Sequence, residues 1–180
     1  MTWWLIVATV VIIALILVLY LGMTAGRLDR LHKRIDLAES ALDAHLLRRS
    51  GIAVELAASG LVDPATSILL SEAAHAARVS VDHSTPERDI AESELTEALN
   101  AALDPDDYAF VLTEPGGPEI LAELSAAVTR VELSRRFLND AVRACSQLRK
   151  QRAVRWFHLA GRTPWPQFRD MNDHVAIPSA

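Results

Sequence analysis

The chain has 180 residues and a formal net charge of −5, and it is 51% hydrophobic but only 6% aromatic. That length holds one moderate domain plus an anchor, and the low aromatic and glycine content argues against a β architecture. A lone cysteine, Cys145, excludes an intramolecular disulfide and fits a reducing compartment, while sixteen Arg against two Lys and abundant Ala suit a GC-rich bacterial genome.

The first predicted element is apolar, with no charged side chain before Arg27. Trp3 to Met23 makes a helix of roughly 31 Å at about 1.5 Å per residue, enough to cross a hydrocarbon core. Trp3 and Trp4 suit one interface and Tyr20 the other. A cleaved signal peptide is the rival reading. Against it stand the missing basic leader, the length of the apolar run and the lack of a small-residue cleavage site. Residues 1–26 are therefore expected to be a retained transmembrane anchor. Arg27, Arg30, Lys33 and Arg34 follow the span, diluted by Asp29 and Asp36. Positive residues stay inside, so the expected protein is single-pass in the inner (plasma) membrane, N-terminus outside and bundle in the cytoplasm. Gly22 and Gly26 form a small-xxx-small pair able to bring two spans together, or mark a bend at the membrane exit.

Beyond Arg27, Leu28, Leu31, Ile35, Ala38, Leu42, Ile52 and Leu56 follow the 3–4 spacing of a helical seam, with His45 and Arg49 in intervening slots. The pattern predicts one long helix ending near Ser59-Gly60, with Gly60 as its C-cap. Asp63-Pro64 starts a second helix carrying Ile68, Leu69, Ala73, Ala76 and Val79. Ser84-Thr85-Pro86-Glu87 has capping-box spacing and starts a third, with Ile90, Leu95, Leu99 and Leu103. Asp104-Pro105 reads as its stop, and 104–118 as the one long connection, with Tyr108, Phe110 and Val111 tucked inward. Pro118 opens the last helix. Its seam is Leu121, Leu124, Val128, Val131, Arg135, Leu138, Val142 and Cys145, and it runs to about Ala160, where Gly161 and Pro164 end it. The expected fold is all-α: an N-terminal transmembrane helix followed by a long-helix antiparallel four-helix bundle over 27–160. An irregular, loose tail is expected over 161–180. Coiled-coil pairing between chains competes for the same seam.

Two segments resemble a known family. KRIDLAESALDAHLLRRSGIAVELA (33–57) is similar to the first cytoplasmic helix of the LemA family, where an Ile-Asp pair and a Leu-x-Arg-Arg group recur. SRRFLNDAV (134–142) resembles that family's last-helix motif. The chain departs from the pattern where Arg48-Arg49 leads into SGIAVEL without a proline, and where Leu138-Asn139 replaces Tyr-Asn. The resemblance implies a divergent member or relative: a membrane-anchored helical bundle without established catalysis, with membrane shaping or assembly suggested for some relatives.

No chemistry-bearing motif stands out. The six histidines show no metal-ligand spacing, Asp104, Asp106 and Asp107 lack the rest of an EF-hand loop, and no phosphate-binding glycine loop or nucleophile elbow occurs. No catalytic residue, metal, cofactor or small-molecule substrate is therefore expected. Asp43, Arg48, Arg49, Arg135, Arg136 and Asn139 form a candidate buried polar network, with Asp43 pairing Arg135 or Arg136 to fix helix register; solvated arginines on bundle faces are the alternative. Charge is segregated: residues 27–50 carry +2, 51–124 carry −13 and 125–169 carry +8. With a membrane anchor and an acidic total, nucleic acid is not an expected partner. The expected partners are the lipid bilayer and a protein, or self-association. The basic-aromatic run 149–168 is the candidate lipid contact, through Arg149, Lys150, Arg152, Arg155, Trp156, Arg162 and Trp165. The competing reading has its rings closing the base of the core. A scaffold or adaptor at the cytoplasmic membrane surface is the leading functional expectation, and a self-associating membrane-shaping protein is the alternative.

Overall fold

A computed structural model describes residues 2–80, 85–157, 159–161 and 163–176. Among the described residues the chain is all-helical: α1 (Thr2–Ala58), α2 (Pro64–Val79), α3 (Thr85–Ala102), α4 (Pro105–Thr113), α5 (Gly117–Arg149) and α6 (Arg152–Trp156). Two compact units form. One takes Met1–Leu37 and Asp140–Gln167, and the other Ala38–Asn139 and Phe168–Ala180. The division thus falls within α1 and α5.

In the first unit, α1 runs unbroken through the apolar segment and past Gly22 and Gly26, so neither glycine marks a break. Thr24 is buried and spends its hydroxyl on the Tyr20 carbonyl one turn back (2.8 Å). The segment from Trp3 to Tyr20 contributes nothing to a core: Ile6 is 63% exposed and Leu15 58%. Helix α1 is long and apolar enough there to cross a membrane. The unit's buried apolar side chains come instead from Leu28 and Ile35 of α1, Val142, Cys145 and Leu148 of α5, and Val154 of α6. The last helix was expected to reach Ala160. It stops at Arg149, because Gln151 takes an extended conformation (ψ 138°) before α6 begins.

In the second unit, Gly60 (φ 75°) follows the end of α1, in the left-handed region glycine tolerates. Asp63 then caps α2, its carboxylate accepting from the amides of Ala65 (2.9 Å) and Thr66 (3.2 Å). Helix α2 packs on α3 with Leu70, Ala74 and Ala77 buried, leaving Ile68, Leu69 and Val79 exposed. The expected face of α2 was therefore wrong by about half a turn. Two alanines at the contact permit close approach, and a branched side chain would hold the helices apart. On α3, Leu95 and Leu99 are buried as expected, as is Leu103 just past its end, but Ile90 is exposed.

The expected connection 104–118 contains a helix. Asp104 does not stop α3 so much as cap α4, accepting from the amides of Asp106 (3.0 Å) and Asp107 (2.9 Å), with Pro105 in the first turn. Val111 is buried, Tyr108 half-buried and Phe110 exposed, so only part of that trio is tucked in. Gly117 opens α5 with the Val111 carbonyl so near that an added Cβ would sit 1.8 Å from its oxygen. Only glycine fits this crossing. The α5 seam reads as expected, buried at Leu121, Leu124, Val128, Val131 and Leu138.

Candidate functional site

The tail expected to be loose is ordered over 168–176. It forms no helix, and its burial alternates: Arg169, Met171, Asp173 and Val175 are buried, while Asp170, Asn172, His174 and Ala176 are exposed. Period-two burial is the signature of extended chain. The surface that receives it is polar. Asp89, Ser93, Thr96 and Asn100 recur every three or four residues along α3 and so form one stripe.

That stripe reads the backbone of the segment. The Asp170 amide donates to Asp89 Oδ2 (2.8 Å) and the Asn172 amide to Ser93 Oγ (2.9 Å). Thr96 Oγ1 donates to the Asn172 carbonyl (2.8 Å), and Asn100 holds the His174 carbonyl (3.2 Å) and the Ala176 amide (2.8 Å). From α5, Asn139 grips both polar groups of one residue, donating to the Arg169 carbonyl (3.0 Å) and accepting from its amide (2.9 Å). Side chains are read as well. Arg169 Nε donates to Asp89 Oδ1 (2.5 Å), and Arg135 makes a two-pronged pair with Asp173 (2.6 and 2.9 Å). Planar guanidinium–carboxylate forks of this kind are directional as well as strong.

Next to this stripe on α3 lies a buried ion pair. Arg49 is 0% exposed and Glu92 2%. Arg49 Nη2 donates to Glu92 Oε2 (2.7 Å) and to the Glu92 carbonyl (3.0 Å), and Nη1 donates to Thr96 Oγ1 (3.0 Å). Burial raises the Glu92 pKa above its ordinary value, against the pull of Arg49, then Arg88 and Arg169. Arg88 lies 2.8 Å from Asp43. Several buried donors stay unpartnered among the described residues: Arg49 Nε, Arg88 Nε and Nη2, and Arg169 Nη2.

Of the expected network, Asp43, Arg49, Arg135 and Asn139 take part in these contacts, Asp43 in a pairing other than the expected one. Asp43 pairs with Arg88, not with Arg135 or Arg136. Arg135 belongs to Asp173 and Asn139 to the backbone of Arg169. Arg48 is exposed and pairs with Glu123 (2.8 Å), and Arg136 pairs with Glu132 one turn away on its own helix. Arg48 and Arg136 are therefore no part of the buried set, since each projects from a solvent-facing side of its helix. Asp89, Glu92, Thr96, Arg169 and Asp173 were missed. Their only trace in the sequence is the polar stripe on α3 and the alternation around Met171 and Val175.

In the first unit, the basic-aromatic run divides. Arg149 is buried and donates to the carbonyls of Pro164 (2.6 Å) and Thr163 (2.7 Å), its guanidinium 4.6 Å from the Trp165 ring centre. It pins the irregular segment to α5 and is not a free cation. Lys150, Arg152, Arg155 and Trp156 are exposed, Trp156 at 81%. Trp156 therefore does not close a core. Arg162 lies outside the described residues. Arg27, Arg30 and Arg34 line a cleft with Gln147 and Gln151. Gly22 and Gly26 have open space where a Cβ would stand. Among the described residues, no three His, Cys, Asp or Glu side chains converge as a metal site would require.

No protein-family model, curated protein or solved structure matches this chain.

Proposed function

We propose that the protein is a membrane-anchored adaptor, its apolar N-terminal segment in the bilayer and its helical bundle offered to a protein partner at the cytoplasmic surface. One observation carries this reading. The segment from Trp3 to Tyr20 holds no charge and leaves its large apolar side chains exposed, while belonging to the same helix that enters the bundle. A core helix of this composition would be buried, and exposed apolar surface of this extent calls for an apolar surrounding. Arg27, Arg30, Lys33 and Arg34 follow the span and support an inward-facing bundle under the positive-inside rule. The cleft lined by Arg27, Arg30 and Arg34 supports contact with anionic headgroups, as do exposed Lys150, Arg152 and Arg155 with Trp156.

The test is fractionation with topology mapping. The full chain is expected in the membrane pellet after alkaline carbonate, with the bundle cleaved by protease in inverted vesicles and protected in intact cells. Ile12→Arg should cost about 2.5–3.5 kcal/mol of insertion and move the chain to the soluble or aggregated fraction. A wild-type chain released by carbonate, or a bundle cleaved from outside intact cells, overturns the reading.

A further inference from the structure

We infer that the groove between α3 and α5 is a receptor for extended peptide, and that residues 168–176 are its resident ligand in cis. The ligand class follows from what the groove reads: an extended segment with a basic residue, an apolar residue, an acidic residue and an apolar residue at alternate positions, as in Arg169, Met171, Asp173 and Val175. The partner supplies such a segment in trans and displaces the tail.

Two features mark this arrangement. First, recognition falls on the backbone. Asp89, Ser93, Thr96, Asn100 and Asn139 hold amides and carbonyls of 169–176, so the groove reads main chain as a sheet edge does, with pockets for alternate side chains. Second, the polar part of the lining has internal partners ready when the segment leaves, while Val175 seats in the hydrophobic core as the segment's apolar anchor. The Thr96 hydroxyl has a second acceptor in the Glu92 carbonyl (3.0 Å), and Ser93 Oγ already donates to the Asp89 carbonyl (2.6 Å).

The inference deepens the adaptor reading by giving the bundle a partner chemistry, yet its test does not depend on where the chain resides. The full chain in detergent micelles is titrated against a fluorescent peptide with the sequence of residues 168–176. The double variant Arg169→Ala, Asp173→Ala weakens the tail and leaves the groove intact. It is expected to bind the peptide at least tenfold tighter than wild type does. Adding Asn139→Ala, or replacing the arginine and aspartate in the peptide, should abolish binding. A loosened variant that keeps its helical content and ignores the peptide overturns the inference. Hydrogen exchange on the wild-type chain decides the matter if the double variant fails to fold. The amides of Asp170, Asn172 and Ala176 are expected to exchange at least tenfold faster than the core amides of α3 and α5. Exchange of all of them together, only on global unfolding, makes 168–176 a core element and sinks the proposal.

Discussion

Helix α1 exposes its leucines, isoleucines and valines between Leu5 and Leu19, yet at Arg49 the same helix buries a guanidinium completely. Both stretches share one backbone geometry, so the difference lies in what surrounds them. Among the described residues, the first has no protein neighbours to cover it. The second meets α3, which supplies Glu92 and Thr96 at hydrogen-bonding distance. Burial in this chain follows the chemistry that other elements bring to a position, and polarity alone predicts it poorly. A buried pair of this kind contributes little net stability but is costly to break, because the orphaned partner cannot rehydrate.

The largest expected effect tests that asymmetry directly. Arg49→Ala should lose about 3–5 kcal/mol in denaturant unfolding of the detergent-solubilised chain, because it strands the Glu92 carboxylate. Its sequence neighbour gives the control. Arg48 and Glu123 are both more than half exposed, and Arg48→Ala should cost at most about 1 kcal/mol. The double variant Arg49→Met, Glu92→Met should recover most of the loss. A double variant as unstable as the single one would mean the pair itself, and not its disruption, carries the stability.

The next effect compares leucines. Leu42 is 0% exposed, and Leu42→Ala should cost about 2–5 kcal/mol in the same assay. Leu15→Ala changes the same atoms on the same helix where no core exists, and should leave the unfolding midpoint of the bundle unchanged. Equal losses at both positions would mean that the apolar segment packs against the bundle and that its exposure is not a property of the folded chain.

Much of this contrast was legible in the sequence, and the parts that were not share a cause. The apolar run, the α5 seam and the Asp63-Pro64 start are local patterns, each fixed by residues within a few turns. Helix α4 is hidden because Asp104-Pro105, directly after an apolar helical seam, has the form of a terminator, although the same dipeptide at 63–64 reads as a cap and first turn. The extended segment is hidden because it has no helical period. Its alternation is easy to overlook when two of the four buried positions are Arg169 and Asp173. The pairings Asp89–Arg169 and Arg135–Asp173 join residues far apart in the chain, and a single sequence carries no signal for them. Of Arg49, Arg88, Arg135 and Arg169, the sequence pattern named only Arg49 and Arg135, and only the fold could name their partners.

The smallest expected effect concerns how Glu92 responds to pH, which sharpens the contrast between a charge buried by the protein and one left in water. Burial raises the Glu92 pKa above 4.5, with the Arg49 cation only partly offsetting it. Between that unfolded value and the higher folded one, the native chain binds a proton that the unfolded chain has released. Stability from this group therefore falls as pH rises through the window, and levels off above the folded pKa. Each unit of separation between the two values corresponds to about 1.4 kcal/mol. Paired carboxylates with lowered pKa values give the opposite slope, so the comparison must be made against a variant and not against a flat line. Glu92→Gln removes the titrating group and keeps the shape of the side chain. Its stability is expected to be lower overall, since Arg49 loses its anion, but to decline less than wild type from pH 4.5 towards 7. Denaturant unfolding of both chains across that range reads the difference in slope. Parallel curves would mean that Glu92 ionises as freely as a surface carboxylate, and that the pocket around Arg49 is wetter than its 0% exposure implies.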